Sequence, residues 1–183
     1  MVIETSRTRL EYLDENHADL IVKYYETNAD HLAPWEPLRP KGYHSVVKWR
    51  SRCRQAQLEH QQGTARRLVA IMKSTGDIGA ICNFTNIVGP PMEACYLGYS
   101  VAKNLEGQGV MSEVVSTAAQ HIFETLNLHR IMANYVPENK RSGAMLARLG
   151  FEREGLARSY LKINGEWRDH ILTAKLNPGR AAV

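Results

Sequence analysis

The sequence has few cysteines, no long apolar run and little excess charge, and each of these absences excludes a class of protein. Its 183 residues include three cysteines, Cys53, Cys82 and Cys95, whose spacing is not that of metal ligands. No apolar run approaches the roughly 20 residues of a membrane span, and the N-terminus has no signal-peptide core. We therefore expect a reduced, cytoplasmic protein without a membrane partner or a bound metal.

The charge balance is mild and the composition is ordinary. Hydrophobic residues make up 44% of the chain and charged residues 23%, as in typical globular proteins. The net charge of +4 suits an anionic small molecule and allows contact with nucleic-acid-rich assemblies, but it does not predict sequence-specific nucleic-acid binding. Because the chain has neither repeats nor a low-complexity linker, we expect residues 1–183 to form a single domain.

Two glycines flank one residue between a predicted strand and a predicted helix. They are Gly107 and Gly109 in the segment 105–110, and the helix that follows carries one apolar stripe. The stripe consists of Met111, Val114, Val115, Ala118, Ala119, Ile122, Phe123 and Leu126. Free N–H groups and the dipole at a helix N-terminus bind anions, and glycine lets the backbone approach a phosphate closely. This segment is therefore a candidate pyrophosphate site.

The same glycines also fit a plain turn from strand to helix. No Gly-Lys-Ser/Thr follows, so the segment is not a Walker loop. The third glycine of a dinucleotide fingerprint is replaced by Ser112, and the segment lies in the middle of the chain rather than after the first strand. The residues around the segment decide between the turn and the phosphate site.

Apolar patterns along the chain predict a mixed sheet with helices, in the order β-α-α-β-β-β-α-β-α-β-β. Strands are predicted at 9–13, 67–73, 78–84, 94–101, 130–135, 152–163 and 166–176, and helices at 18–27, 46–59, 110–126 and 140–149. Asn164-Gly165 between the last two strands is typical of a hairpin turn. Gly98 inside a strand predicts a bulge or a close backbone approach. The fold class is therefore α/β or α+β.

Several short motifs occur in a characteristic order. One group comprises Gly107-Gln108-Gly109, the Glu113 that follows, and Asn139 to Ser142 with Leu149-Gly150-Phe151. With these motifs the chain resembles the GNAT superfamily of acyl-CoA-dependent N-acetyltransferases. A second group lies at 34–37 (PWEP), 95–99 (CYLGY), 129–135 (HRIMANY) and 167–170 (WRDH). With these the chain is similar to the RimJ-type ribosomal-protein-alanine N-acetyltransferases within that superfamily.

The resemblance implies where acetyl-CoA, the cosubstrate of this superfamily, would bind. The central strands of a GNAT fold splay apart, and the pantetheine arm sits in the gap against a bulged strand edge. On this chain that edge is Leu97 to Val101, with Tyr99 at its centre. The pyrophosphate would lie on the backbone of Glu106, Gly107, Gln108, Gly109 and Val110, and Asn139 would contact the pantetheine arm.

Two positions depart from the family pattern. The family loop usually begins with Gln or Arg three residues before its first glycine, and here that residue is Asn104. Many relatives carry a glutamate two residues before the strand glycine, as a base acting through water, and here that residue is Tyr96. Because backbone donors carry the phosphate site, the first departure weakens the match without cancelling it, whereas the second affects the chemistry.

Acetyl transfer to an amine needs a neutral amine, a donor for the oxyanion and a proton for the leaving thiolate. An α-amine has a pKa of about 7.7–8.0, against about 10.4 for lysine, so an N-terminal acceptor tolerates the missing glutamate better. Ser142 matches the family position of the proton donor, and Tyr135 is a second candidate acid. A backbone N–H near Tyr99 can meet the oxyanion. The alternatives are a Ser142 bonded to its own helix backbone and a Tyr135 in the core.

Glu36 is the main candidate for holding or deprotonating the acceptor amine. Pro34 and Pro37 stiffen its loop, because proline fixes its own φ and restricts the residue before it. Trp35 is a candidate wall of the acceptor groove, with a simple loop anchor as the alternative. Glu93 is a second carboxylate candidate, with a solvated loop residue as the alternative.

Three further polar residues are interpreted as structural. His129 stands at a turn from helix to strand, beside a basic residue. Asp169 and His170 have the residue types of a catalytic pair. Adjacent residues in a strand point to opposite faces of the sheet, so these two side chains cannot act together.

The resemblance implies direct transfer of an acetyl group, in a ternary complex, to the N-terminal alanine of a small-subunit ribosomal protein, free or on the ribosomal subunit. One alternative is the same chemistry on a small amine, such as an antibiotic, a polyamine or an amino acid. Another is an acyl-CoA-binding regulatory or ribosome-assembly factor without turnover. The sequence does not determine the oligomeric state.

Overall fold

The computed structural model describes residues 2–180. These residues form an eight-stranded mixed sheet with flanking helices. Its strands are β1 (Val2–Glu4), β2 (Thr8–Tyr12), β3 (Arg66–Met72), β4 (Ile78–Val88), β5 (Ala94–Val101), β6 (Arg130–Met132), β7 (Glu152–Ile163) and β8 (Glu166–Leu176). Their order is β1-β2-β3-β4-β5-β6-β8-β7. Neighbouring strands are antiparallel, except for the parallel pair β5 and β6.

Helices cover both faces of this sheet. They are α1 (Ala18–Thr27), α2 (Ala29–Leu32), α3 (Val46–Gln61), α4 (Val110–Leu126) and α5 (Lys140–Arg148). Short 3-10 turns lie at Glu15–His17, Ala33–Trp35 and Lys103–Leu105. The apolar stripe of α4 packs with α5 side chains on one face, against Leu10 and Phe84 of the sheet. On the other face, α1 and α3 pack against Val69 and Ile81.

The predicted mixed sheet with flanking helices is confirmed, and the exceptions are short elements. β1 and α2 were not predicted, because three or four residues carry too few positions for a periodic pattern. α3 begins at Val46, where the predicted helix begins, and the side chain of its N-cap residue Ser45 makes no capping hydrogen bond. All three cysteines are buried and unpaired. No helix within residues 2–180 is long and apolar enough to span a membrane.

The two central strands separate soon after they pair. β5 and β6 share three pairs of residues, Ala94 with Arg130, Cys95 with Ile131 and Tyr96 with Met132. β6 then ends, whereas β5 continues to Val101 in register with β4. One edge of residues 97–101 therefore faces a gap, as the splayed sheet requires.

Of the two alternatives predicted for Gly98, a bulge or a close backbone approach, the bulge is wrong. Gly98 pairs regularly with Asn83 of β4, and the irregularity lies between Thr85 and Val88, where Asn86 adopts a φ of 51°. Asn tolerates this left-handed conformation better than most residues, so the extra residue is placed there. A Cβ added at Gly98 would meet nothing within 4 Å. The space over Gly98 is thus open on one face of β5.

The strand predicted at 130–135 is too long. β6 ends at Met132, and Tyr135 forms an isolated bridge with Ile171 of β8. The reason is a side chain that competes with the backbone, because Asn134 Oδ1 accepts a hydrogen bond from the Thr173 N–H at 3.3 Å. Tyr135 then lies against α5, where a Cβ added at Gly143 would be 2.6 Å from its hydroxyl oxygen.

Replacing Gly143 with alanine therefore tests this packing. Alanine normally stabilises a helix relative to glycine, but here the added methyl group overlaps the Tyr135 ring. We expect Gly143→Ala to lower the free energy of unfolding by about 1–3 kcal/mol, as overpacking does. Gly155→Ala is the control, since its Cβ would meet nothing within 4 Å. A Gly143→Ala protein as stable as the wild type in urea unfolding would contradict the contact.

Candidate functional site

Two left-handed glycines shape the turn that enters α4. Gly107 and Gly109 have φ angles of 76° and 77°, and Gly109 is the N-cap residue of the helix. A side chain would strain both positions, so glycine is required by the backbone itself. The first N–H groups of a helix lack acceptors within the helix. Next to an exposed loop free of side-chain bulk, they form the arrangement that binds phosphate groups.

Arg7 braces this loop from the other end of the chain. Its backbone N–H and its Nε each donate to the Glu113 carboxylate at 2.8 Å, and its Nη1 donates to the Gln108 carbonyl oxygen at 2.7 Å. The loop is therefore held in place before any ligand arrives. Glu113 belongs to a motif of the sequence, whereas Arg7 has no signal there, because the two residues are 106 positions apart and share no local pattern.

These contacts change the acidity of Glu113. Partial burial raises its pKa, but hydrogen bonds from Thr5 and Arg7 and the charge of Arg7 outweigh burial, so the pKa lies below its ordinary value of 4.5. The carboxylate is consequently charged at neutral pH and stabilises the loop in that form.

A pair of hydroxyl groups bridges the gap between β5 and α5. The hydroxyls of Tyr99 and Ser142 are hydrogen-bonded at 2.6 Å. Asn139 caps α5, because its Oδ1 accepts from the Ser142 N–H at 3.1 Å. Ser142 is thus oriented by both partners, rather than bonded through its side chain to its own helix. Burial raises the pKa of Tyr99, which keeps its hydroxyl protonated.

Tyr135 lies beside this pair. Its ring packs against the core on the α4 face and lies under Gly143 of α5. It is also close enough to Tyr99 to influence that group electrostatically. The structure therefore brings Tyr99, Tyr135 and Ser142 together at the gap, and the Tyr135 ring is at the same time packed against the core.

The ion pair of Glu106 with Arg141 links the glycine loop to the same end of α5.

Glu36 lies on the opposite face of the sheet. It lines a cavity of about 280 Å³ together with residues of α1, of the segment before α3, of α3 and of the sheet. One sheet residue of this cavity is Asn83, which pairs with Gly98. Burial raises the pKa of Glu36, and the charge of Arg39 partly opposes this. Trp35 is exposed in the neighbouring 3-10 turn and does not line the cavity.

The tip of the last hairpin supports the loop that carries Glu36. Asn164 and Gly165 have φ angles of 46° and 85°, which confirms the predicted turn, since two positive φ angles define its type. The Asn164 N–H donates to the Glu36 carbonyl oxygen at 2.8 Å. The loop that carries Glu36 is thus tied to the turn between β7 and β8.

The remaining polar candidates have structural partners. The Glu93 carboxylate pairs with Arg180, and its carbonyl oxygen accepts from the His129 N–H at 2.7 Å. Asp169 accepts from the Ser159 N–H at 2.8 Å. His170 is buried, with its ring nitrogen near the Arg168 carbonyl oxygen. None of these contacts involves the gap beside β5.

Comparison with known proteins identifies relatives along almost the whole chain. The model of the acetyltransferase (GNAT) domain family matches residues 7–152. The chain is 40% identical over 176 residues to ribosomal protein uS5-alanine N-acetyltransferase of Escherichia coli strain K12, which covers 96% of this chain and 91% of that protein.

Solved structures agree with this relationship. Ribosomal-protein-S5-alanine acetyltransferase from Vibrio fischeri superposes with a TM-score of 0.94 and 36% identity, over 100% of both chains. Mycobacterium smegmatis RimJ in complex with CoA-disulfide gives a TM-score of 0.91 and 28% identity, over 100% of this chain and 90% of that one.

The low pKa of Glu113 predicts a specific acid sensitivity. Its stabilising contribution is complete above the unfolded-state pKa of 4.5 and is lost as the pH falls through the lower folded-state pKa. At pH 7 we expect Glu113→Gln to lower the free energy of unfolding by about 1–3 kcal/mol, as loss of hydrogen bonds to a charged group does. The difference from the wild type should shrink toward about pH 3. A difference independent of pH, measured by denaturant unfolding, would contradict this role.

Proposed function

Because the chain belongs to the GNAT family of acetyltransferases, and is thus an N-acetyltransferase, we propose that it acetylates the α-amine of a protein N-terminus with acetyl-CoA. The observation that carries the proposal is the gap beside residues 97–101, with the glycine loop at one end and the Glu36 cavity across β5. The names of its relatives support the N-terminal alanine of ribosomal protein uS5 as the acceptor.

The residues around the gap fit an acyl-CoA. The loop at Gly107 and Gly109 has the open, left-handed backbone that a pyrophosphate needs. The edge from Leu97 to Val101, unpaired on the β6 side, offers backbone groups to the amides of the pantetheine arm. Acetyl-CoA supplies the acetyl thioester when it is bound. Asn139, already used as a helix cap, is positioned to extend the same contact surface.

The chain's own groups divide the proton transfers between the two faces of β5. On one face, Glu36 attracts the acceptor ammonium and takes up its proton, a role favoured by its raised pKa. On the other face, Ser142 donates a proton to the leaving sulfur and is kept in place by Tyr99. A backbone N–H near Tyr99 stabilises the oxyanion. The amine attacks directly in a ternary complex, without a covalent acyl-enzyme.

An α-amine fits this site better than lysine does. The glutamate that many relatives use as a base is Tyr96 here, so the site lacks a carboxylate at that position on β5. An α-amine is partly neutral at pH 7, whereas a lysine amine is almost entirely protonated.

We further infer that residues 1–183 act as one domain and that the reaction takes place in the cytoplasm, where ribosomal proteins are made.

Acetylation of synthetic peptides tests the acceptor. Peptides that begin with a free alanine should be labelled by acetyl-CoA, and the same peptides with a blocked N-terminus and free lysines should not. Glu36→Gln should raise the KM for peptide about tenfold and also lower kcat, with little change in the KM for acetyl-CoA, since a charge-assisted hydrogen bond and a proton acceptor are lost. Glu26→Gln, on the exposed side of α1, is the matched control. Equal labelling of blocked peptides would refute the α-amine, and exclusive labelling of small amines would favour the small-molecule alternative.

Ser142 can be tested separately from binding. Ser142→Ala should lower kcat by about 10²–10⁴-fold with little change in either KM, as loss of a general acid does. Tyr99→Phe should lower kcat less, because the serine hydroxyl remains but loses its partner. Ser116→Ala, exposed on α4, is the control for a serine outside the gap. Full turnover by Ser142→Ala under conditions where chemistry limits the rate would assign the proton donor to another group.

A further inference from the structure

A cluster of stacked aromatic rings forms one wall of the cavity beside Glu36. The Tyr25 ring stacks on His44 at 4.2 Å and on Trp49 at 5.4 Å, measured between ring centroids. Trp49 Nε1 donates to His44 Nδ1 at 3.3 Å. The other ring nitrogen of His44 then carries the hydrogen and is a donor. Burial, together with the charges of Arg52 and Arg39, lowers the pKa of His44, so this imidazole is neutral at pH 7.

Two guanidinium groups lie on the same tyrosine. Arg52 Cζ is 3.5 Å from the centroid of the Tyr43 ring, and Arg39 Cζ is 4.6 Å from it. Arg52 Nη1 also donates to the Tyr43 carbonyl oxygen at 2.8 Å. Both side chains line the cavity. Both guanidinium carbons lie within cation–π range of the ring, and a guanidinium over a ring face can still donate hydrogen bonds from its edge.

The charges in the cavity do not balance once an amine is bound. Arg67 pairs with Glu59 at 2.8 Å, whereas within residues 2–180 neither Arg39 nor Arg52 forms such an ion pair. Glu36 is the remaining carboxylate of the cavity. If Glu36 holds the acceptor ammonium, two positive groups and a neutral imidazole donor stay beside it without a counter-charge. This donor set matches a carboxylate, which a guanidinium binds through two parallel hydrogen bonds.

The cavity lies at the right distance for a nearby side chain of the acceptor. Asn83 lines it and pairs with Gly98, so it begins one strand, about 4.8 Å, from the open face of β5. An extended peptide advances about 3.3 Å per residue. A side chain at the second to fourth position of the acceptor peptide therefore reaches it when the α-amine lies over Gly98.

We propose that this cavity binds the carboxylate side chain of an Asp or Glu at the second to fourth position of the acceptor peptide, through Arg39, Arg52 and His44. The proposal rests on the function proposed above and adds a sequence requirement to it. A lysine at the same position would meet two like charges and be disfavoured. The site thus selects among N-terminal alanines by the residues that follow them.

Matched peptides test the selection. Each begins with alanine and carries Glu, Gln or Lys in turn at position two, three or four. At one position we expect kcat/KM for Glu to exceed that for Gln by at least about tenfold, the scale of a charge-assisted hydrogen bond, with Lys the poorest. Arg39→Glu should reverse the order of Glu and Lys. Lys41→Glu makes the same charge change in the same loop outside the cavity and should leave the order unchanged.

Binding of already acetylated peptides separates this proposal from the proposed function. The fluorescence of Trp49 in the cluster reports their binding without turnover. Tighter binding of the Glu peptide than of the Gln peptide, lost in Arg39→Glu but kept in Lys41→Glu, supports the site even if no peptide is acetylated, in which case the proposed function fails. Equal use and equal binding of all three peptides overturn the site while leaving α-amine acetylation in place. Equal effects of Arg39→Glu and Lys41→Glu also overturn it, because they show long-range charge alone.

Discussion

The three-residue pairing of β5 with β6 is the constraint on which the site depends. Had β6 continued beyond Met132, its backbone would have filled the edge of residues 97–101. Instead the chain after Met132 stays beside β8, where the Ala133 N–H donates to the Thr173 carbonyl oxygen and Tyr135 pairs with Ile171, and it no longer pairs with β5. The resulting gap is bordered by the glycine loop, the N-terminus of α5 and the Tyr99–Ser142 hydrogen bond. The space between the two halves of the sheet therefore lies between β5 and the segment that follows β6 along β8.

Local rules were sufficient wherever one conformation was required by one residue type. Gly107 and Gly109 take the left-handed backbone that glycine tolerates. Asn139 caps α5, and Asn164-Gly165 forms the hairpin turn. Periodic apolar patterns likewise identified α4 and the long strands, because burial on one face leaves a regular trace in the sequence. The family resemblance then joined these local features into one fold.

Contacts between distant segments could not be predicted in this way. The hydrogen bonds of Arg7 to Glu113 and to the Gln108 carbonyl have no local signal in the sequence, since either charged residue alone is typical of a solvated surface position. The same holds for the Tyr99–Ser142 pair and for the stacked Arg52 beside Glu36. The irregularity lies at Asn86 of β4 and not at Gly98 of β5, because it is set by how the two strands pair and not by the glycine. Glycine at position 98 instead leaves one face of β5 open.

The most direct measurement is a crystal structure with a bisubstrate compound, in which coenzyme A is joined through an acetyl bridge to the α-nitrogen of a peptide that begins with alanine. We expect its pyrophosphate on the backbone of residues 106–110, its pantetheine arm along residues 97–101 and its peptide in the cavity beside Glu36. A pantetheine arm bound outside the gap between β5 and β6, or a peptide leaving on the α4 face, would show that the site lies elsewhere.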